Sequence, residues 1–459
     1  MLASLFWNDT ALEANRVDHS GAEGGPRAEA GGPVHSARAL AIVHCAMADA
    51  YAGAHRFGGV APFAPACISA VPLGPVDPAA ALAGAAHAAL CGIYARQTAT
   101  FDNRLAEYLQ SLPDGASEAV TAGLAFGASV AHALLDARAH DGADDLATGH
   151  YTPLDLPGTH DVDPLNPKQG FYGRRLGVMR PFALTPDELV ETMPPPPPRL
   201  GDERYLAHYE EVYDKGVRTG GTRTEDETEA GLFWAYDGAR LIGTPPRLYN
   251  QLVRQICEAK HPDWTDTEWT ALLGQINVAM ADAGIVAWRA KYLYNVWRPI
   301  LGIRRAIELP DHPEVQQDPL WEPLGAPASN ATGDKIDFTP NFPAFPSGHA
   351  TFGTACFTVL REFRAARGED QPDRVDMCLT SDELNGATRD ARGNVRPAVQ
   401  RPFGTITQMI EENLSSRVFL GVHWRFDGED GRHSGAEVAC RVASKLYRIA
   451  AVPAEAPAA

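Results

Sequence analysis

Long apolar runs, paired cysteines and surplus positive charge are all missing from this 459-residue chain. No stretch approaches 18 consecutive apolar residues, so no membrane span is expected. The N-terminus, MLASLFWNDTALEANRVDHS, has neither a basic leader nor an apolar core, and no Sec-type signal peptide is expected. A soluble protein follows, cytoplasmic or exported without a recognisable signal. Seven cysteines are scattered and never form a CxxC pair. They read as reduced, mostly buried small residues, and without a CxxCH no haem attachment is expected. Against 40 Lys and Arg stand 58 Asp and Glu, a formal charge of -18. Nucleic acid and anionic membrane surfaces are therefore disfavoured as partners, because no cationic excess exists to displace counterions. Alternating β-branched runs are few, and no repeat of fixed period is visible.

What the chain has is helical pattern. Alanine-rich segments starting at Ser36, Pro78 and Ser117 show apolar spacing of three and four and read as a first helical bundle over residues 1–147. Residues 148–224 dissolve into Pro, Gly and Asp, with an extended MPPPPPRL spacer, and read as an irregular crossover. Helical pattern returns from Glu225 and continues to 451, ending in a helix pair over 406–450. Residues 452–459 read as a disordered tail. The expected fold is all-α: two packed four-helix-bundle-like clusters, with the functional site in the C-terminal one. So large a helical surface could support a homo-oligomer.

Three blocks in the second half carry chemistry: KYLYNVWRP from Lys291, FPSGHATFG from Phe345 and SRVFLGVHWRFD from Ser416. Together they describe a site for a tetrahedral oxyanion. Lys291 and Arg298, seven apart, would share one face of a helix, and Arg417 adds a third cation. Pro346-Ser347-Gly348-His349 opens an apolar run and is expected at a helix N-terminus, where free amides face an anion. Gly348 lets backbone approach closely, Ser347 can donate a hydroxyl, and each arginine can fork onto two oxygens. His349 and His423 are left for the chemistry. The isolated histidines His44, His87, His132, His208 and His433 read as ordinary core or surface residues.

These blocks resemble the signature shared by the type 2 phosphatidic-acid-phosphatase superfamily and the vanadium-dependent haloperoxidases. LFWNDTALEANRV near the start, SARAL, FWAYDGARLIGTPPRLYNQ, SDELNG and GVHWRFD resemble the second group, in particular its chloroperoxidases. The resemblance implies a vanadate cofactor held by Lys291, Arg298, Ser347, Gly348 and Arg417. It implies His423 as the protein ligand to vanadium and His349 as acid/base toward peroxide. Asp237 matches a carboxylate that pairs with Arg417; Trp288, Phe342 and Pro340 match the wall of a halide pocket. Phe342 is where bromoperoxidases of the family tend to carry histidine, so the pattern is the chloroperoxidase type, whereas Asn341 stands where proline is expected. The implied partners are hydrogen peroxide, bromide or chloride, and a small organic acceptor, with hypohalous acid as the product. Vanadate and phosphate are both tetrahedral oxyanions that can accept a fifth ligand. The same cage would therefore suit a soluble acid phosphatase in which His423 is the nucleophile.

Overall fold

A computed structural model describes the chain except residues 22–27, 60, 113, 144–149, 306–314, 316, 333–335 and 450–459. The expected tail and the last residue of the expected 406–450 helix pair lie outside the described residues.

The N-terminal helices are α1 (Ala3–Asp18), α2 (Pro33–Phe57), α3 (Pro78–Ile93), α4 (Thr98–Ser111) and α5 (Glu118–Arg138). Alanine dominates α2, α3 and α5 because these helices touch almost backbone to backbone. A Cβ on Gly127 of α5 would sit 1.8 Å from the Ala81 carbonyl of α3, so only glycine fits that crossing.

The rest of the chain contains α6 (Pro186–Glu191), α7 (Glu203–Lys215), α8 (Glu225–Phe233), α9 (Pro245–Lys260), α10 (Asp266–Tyr294) and α11 (Pro299–Arg304), followed by α12 (Gly348–Ala366), α13 (Ile406–Phe419) and α14 (Arg425–Lys445). α10 is the axis of the molecule: it packs against α2 on one side and against α12 and α14 on the other. One hydrophobic core runs through both groups of helices. A buried polar ladder crosses it, with Asn8 donating to His44 Nε2 at 2.8 Å and Asn250 donating to Asn277 at 2.8 Å.

On hydropathy, α5 and α10 are long and apolar enough to cross a membrane. The apolar window of α10 lies wholly inside the protein, which accounts for its being apolar all round. Its one buried acid, Asp282, accepts from the amides of Phe182, Ala183 and Leu184 at 2.6, 2.8 and 3.0 Å, pinning the crossover to the core.

The fold is mostly helical, as expected, and the structure corrects one expectation within it. The 148–224 segment is not irregular throughout, for it holds α6 and α7. In α7 the residues Tyr205, Tyr209 and Val212, spaced four and three, are buried against Trp297, Trp424 and Phe426 beneath the site. An antiparallel hairpin of β2 (Arg374–Asn385) and β3 (Ala398–Thr405) also joins α12 to α13. Its period of two is hidden because inward positions 381 and 383 are polar. Ser381 Oγ donates to the Phe233 carbonyl at 2.7 Å, and Glu383 pairs with Ser329 and Arg396. Two-residue strands β1 (Phe63–Ala64) and β4 (Arg448–Ile449) tie the connection between α2 and α3 to the segment that follows α14.

Candidate active site

Sequence spacing puts Lys291 and Arg298 on one helix, but α10 stops between them. Asn295 adopts a left-handed conformation (φ 55°) and returns its amide to the Lys291 carbonyl at 2.8 Å. Pro299 then holds Arg298 extended (φ -79°, ψ 156°), as the residue before proline must be. The two cations still converge, because the break turns the chain back over the N-terminus of α12.

Each cationic head has a distinct set of partners. Lys291 Nζ, fully buried, donates to the carbonyls of Pro343, Ala344 and Pro346 at 2.8, 3.0 and 2.5 Å. An ammonium has three donors, so all are occupied, and burial pushes Lys291 well below the usual lysine range. With its donors on these carbonyls, Lys291 fastens the loop that enters α12. Arg298 donates Nε to the Phe342 carbonyl at 2.9 Å and Nη1 to the Val422 carbonyl at 2.7 Å and to His423 Nε2 at 2.9 Å. Arg417 grips Asp237 through two bonds of 3.1 and 2.7 Å.

The tautomer of His423 follows from these contacts. A guanidinium only donates, so Nε2 carries the lone pair and Nδ1 the hydrogen, which it gives to Asp427 Oδ2 at 2.9 Å. Trp424 donates its amide to the same oxygen at 3.0 Å. Burial raises the Asp427 carboxyl, while Lys291 and Arg298 pull it back toward the ionised form. His423 and His349 are both driven well below the ordinary histidine range, by burial first and then by the surrounding cations.

Ser347 caps α12, its hydroxyl accepting from the Ala350 amide at 3.5 Å. This places Gly348 and His349 in the first helical turn, whose amides have no intrahelical acceptor. A Cβ on Gly348 would meet Trp288 at an ordinary 3.4 Å, so the fold does not demand glycine there. His349 gives Nε2–H to the Ala235 carbonyl at 2.5 Å, and its own carbonyl accepts from Tyr249 Oη at 3.0 Å and Asn413 Nδ2 at 2.9 Å.

A cavity of about 210 Å³ opens over these groups, lined by Asp237, Trp288, Pro340, Phe342, Gly348, His349, Arg417 and His423. Lys291, Arg298 and Ser347 lie outside the lining; Arg298 reaches the site through its contact with His423. His19 and Pro33 from the N-terminal helices and Tyr172 from the crossover complete the wall. Trp288 and Phe342 pack ring to ring at 4.9 Å, and Tyr172 stands 5.9 and 6.0 Å from them. Asn341, the departure from proline, anchors that third ring: its carbonyl accepts from the Tyr172 amide and its amide donates to the Gln169 carbonyl.

Sequence reasoning missed Asp427, Tyr172, Tyr249 and Asn413. Asp427 had a visible signal, an acid four residues after His423 in the first turn of α14. The other three come from distant elements and had none.

An oxyanion fits this site on two observations. Arg298 Nη2 and Arg417 Nε are buried with no protein partner among the described residues, a costly arrangement that an anion would relieve. His423 Nε2 also offers an unprotonated nitrogen beside these donors, as a metal ligand must.

Residues 3–169 match the vanadium chloroperoxidase N-terminal domain family, and residues 271–451 match the VCPO second helical-bundle domain family. The chain is 35% identical to vanadium chloroperoxidase of Curvularia inaequalis over 93% of this chain and 79% of that protein. Among solved structures it resembles a bacterial vanadium-dependent iodoperoxidase (TM-score 0.71, 19% identity, 95% of each chain). It also resembles a holo-type bacterial vanadium-dependent chloroperoxidase (TM-score 0.65, 14% identity, 90% of this chain and 91% of that one). At those identities the solved structures speak for the fold alone. With fold, anion cage and sequence relative in agreement, the chain belongs to the vanadium chloroperoxidase family.

Proposed function

We propose that the cavity over His423 holds vanadate and that the protein is a vanadium-dependent haloperoxidase, oxidising halide with hydrogen peroxide to hypohalous acid. The observation that carries this reading is the pair of orphaned guanidinium donors beside the lone pair of His423. When bound, vanadate supplies a Lewis-acid centre that activates peroxide toward halide without changing its own oxidation state.

The residues divide the remaining work. His423 would hold the cofactor through Nε2, and Arg298 Nη1, which now donates to that nitrogen, would then be free for an oxyanion oxygen. Asp427 holds the imidazole in the ligating tautomer. Arg298, Arg417 and the first-turn amide of Gly348 bind the non-protein oxygens, and Asp237 fixes the plane of the Arg417 fork. Ser347 can add its hydroxyl hydrogen. Lys291 acts through its charge in a low-dielectric site, and through hydrogen bonds to the oxygens only if it gives up one of its three carbonyls. His349, neutral at pH 7, accepts and returns a proton during peroxide activation. Trp288, Phe342 and Pro340 form a dry wall for the halide, and the hypohalous acid halogenates a small organic acceptor.

Chelator-treated protein, given peroxide, bromide or chloride and a 1,3-diketone dye, should halogenate only after orthovanadate is added. The chloride-to-bromide ratio tests the Phe342 assignment. No activity with either halide, together with phosphomonoester turnover that vanadate only inhibits, would replace this reading with an acid phosphatase.

A further inference from the structure

Far along the chain from the blocks that build the active site, the elbow between α3 and the segment containing α4 carries a cluster that halogenation does not use. The two helical segments meet at a bend of 118°. His87 and Cys91, four residues apart on α3, share one face, and α4 brings Asp102 against it. His87 Nε2 lies 2.8 Å from Asp102 Oδ1 and 3.7 Å from Cys91 Sγ. One ligand atom from each of the three residues falls within 4.8 Å of the other two.

Both neighbours converge on the same imidazole nitrogen. In a thiol nucleophile triad the acid holds one ring nitrogen and the thiol faces the other, so this cluster is not built for nucleophilic catalysis. An imidazole, a thiol and a carboxylate gathered around one point are a ligand set for a single cation. A tetrahedral centre with bonds of about 2.0–2.3 Å places its ligand atoms roughly 3.3–3.6 Å apart. The sulfur–nitrogen separation is close to that already. The carboxylate must withdraw by about half an ångström from its present hydrogen bond, a small adjustment for a flexible acid side chain. Trp7 packs edge-on against His87, with ring centroids 6.5 Å apart, and steadies the imidazole.

We propose that His87, Cys91 and Asp102 form a site for a borderline-soft divalent transition-metal ion, zinc foremost, that clips α3 to α4. Thiolate and imidazole select such an ion over magnesium or calcium, and a partly exposed three-residue set leaves the fourth position to water. Because the ligand set exists only in the folded bundle, binding stabilises the fold.

The test uses the vanadate-loaded enzyme in metal-free buffer, titrated with cobalt(II) as a spectroscopic stand-in and then with zinc. One equivalent of cobalt should produce a thiolate charge-transfer band that zinc abolishes, and zinc should raise the melting temperature. Cys91→Ser should lose both the band and the zinc-induced shift. Asp102→Asn, at an exposed position that leaves the fold intact, should weaken cobalt binding by roughly tenfold or more. Halogenation should be unchanged in both variants. No charge-transfer band in the wild type overturns the proposal. So does a band that persists in Cys91→Ser, since it would then arise from another thiol such as exposed Cys378 or Cys440.

Discussion

Asp427→Asn separates the geometry of His423 from its mere presence. Two donors, His423 Nδ1–H and the Trp424 amide, converge on Asp427 Oδ2, while Oδ1 is buried with no partner. Asparagine can imitate this only by placing its oxygen at Oδ2, which buries an unpartnered NH2 group close to Lys291 and Arg298. If the amide flips instead, its NH2 faces Nδ1 and selects the tautomer that carries a hydrogen on Nε2, removing the lone pair a metal needs. Either outcome weakens the cofactor site. Loss of such an outer carboxylate costs about 10–100-fold in metal affinity, or about 1.4–2.8 kcal/mol. Orthovanadate titration of the stripped protein by calorimetry, alongside the vanadate midpoint for recovered activity, reads this directly. Loss of the bond to the Trp424 amide should cost about 1 kcal/mol of stability, so melting curves accompany the titration. A vanadate Kd within about threefold of wild type, less than half an order of magnitude, would refute the tautomer argument.

Three further perturbations test other parts of the site and the fold. Asp237→Ala leaves the Arg417 guanidinium buried and unpaired, and should cost the vanadate-free protein about 3–5 kcal/mol, recovered in part by vanadate. Urea denaturation measures it, and a loss below about 1 kcal/mol would contradict the pairing seen here. His349→Ala should leave vanadate affinity nearly intact while lowering turnover by roughly 10²–10⁴; equal losses in both would erase the distinction between ligand and proton carrier. His44 is buried and drawn down to about 4 from an unfolded value of about 6.5. Its contribution is therefore full above pH 6.5 and is lost as pH falls toward 4, by up to about 3 kcal/mol. Denaturant midpoints between pH 7 and 4.5 should fall less steeply in His44→Gln than in wild type, and parallel curves would show that His44 titrates freely in the fold.

Much of this molecule is legible in its residues alone. Alanine-rich helices of period 3.6, the Ser347 cap before Gly348, and the late His423 with its flanking Arg417 all depend on neighbours within a few positions, so local chemistry specifies them. Asp237 beside Arg417, and the ring pair Trp288 and Phe342, were reached through family resemblance rather than spacing. α7 escaped because its apolar stripe is made of tyrosines among charges, and the β2–β3 hairpin because its inward face includes a buried ion pair. The supposed Lys291–Arg298 helix face failed for a reason that was in the sequence: Asn295 and Pro299 end the helix between them. Only the tertiary structure decided that Lys291 would spend its three donors on one loop, that Asn341 would bring in Tyr172, and that Arg298 and Asp427 would fix the tautomer of His423. Those outcomes depend on which distant groups share a water-excluded space, where every donor must find an acceptor, and that competition is settled only when the helices pack.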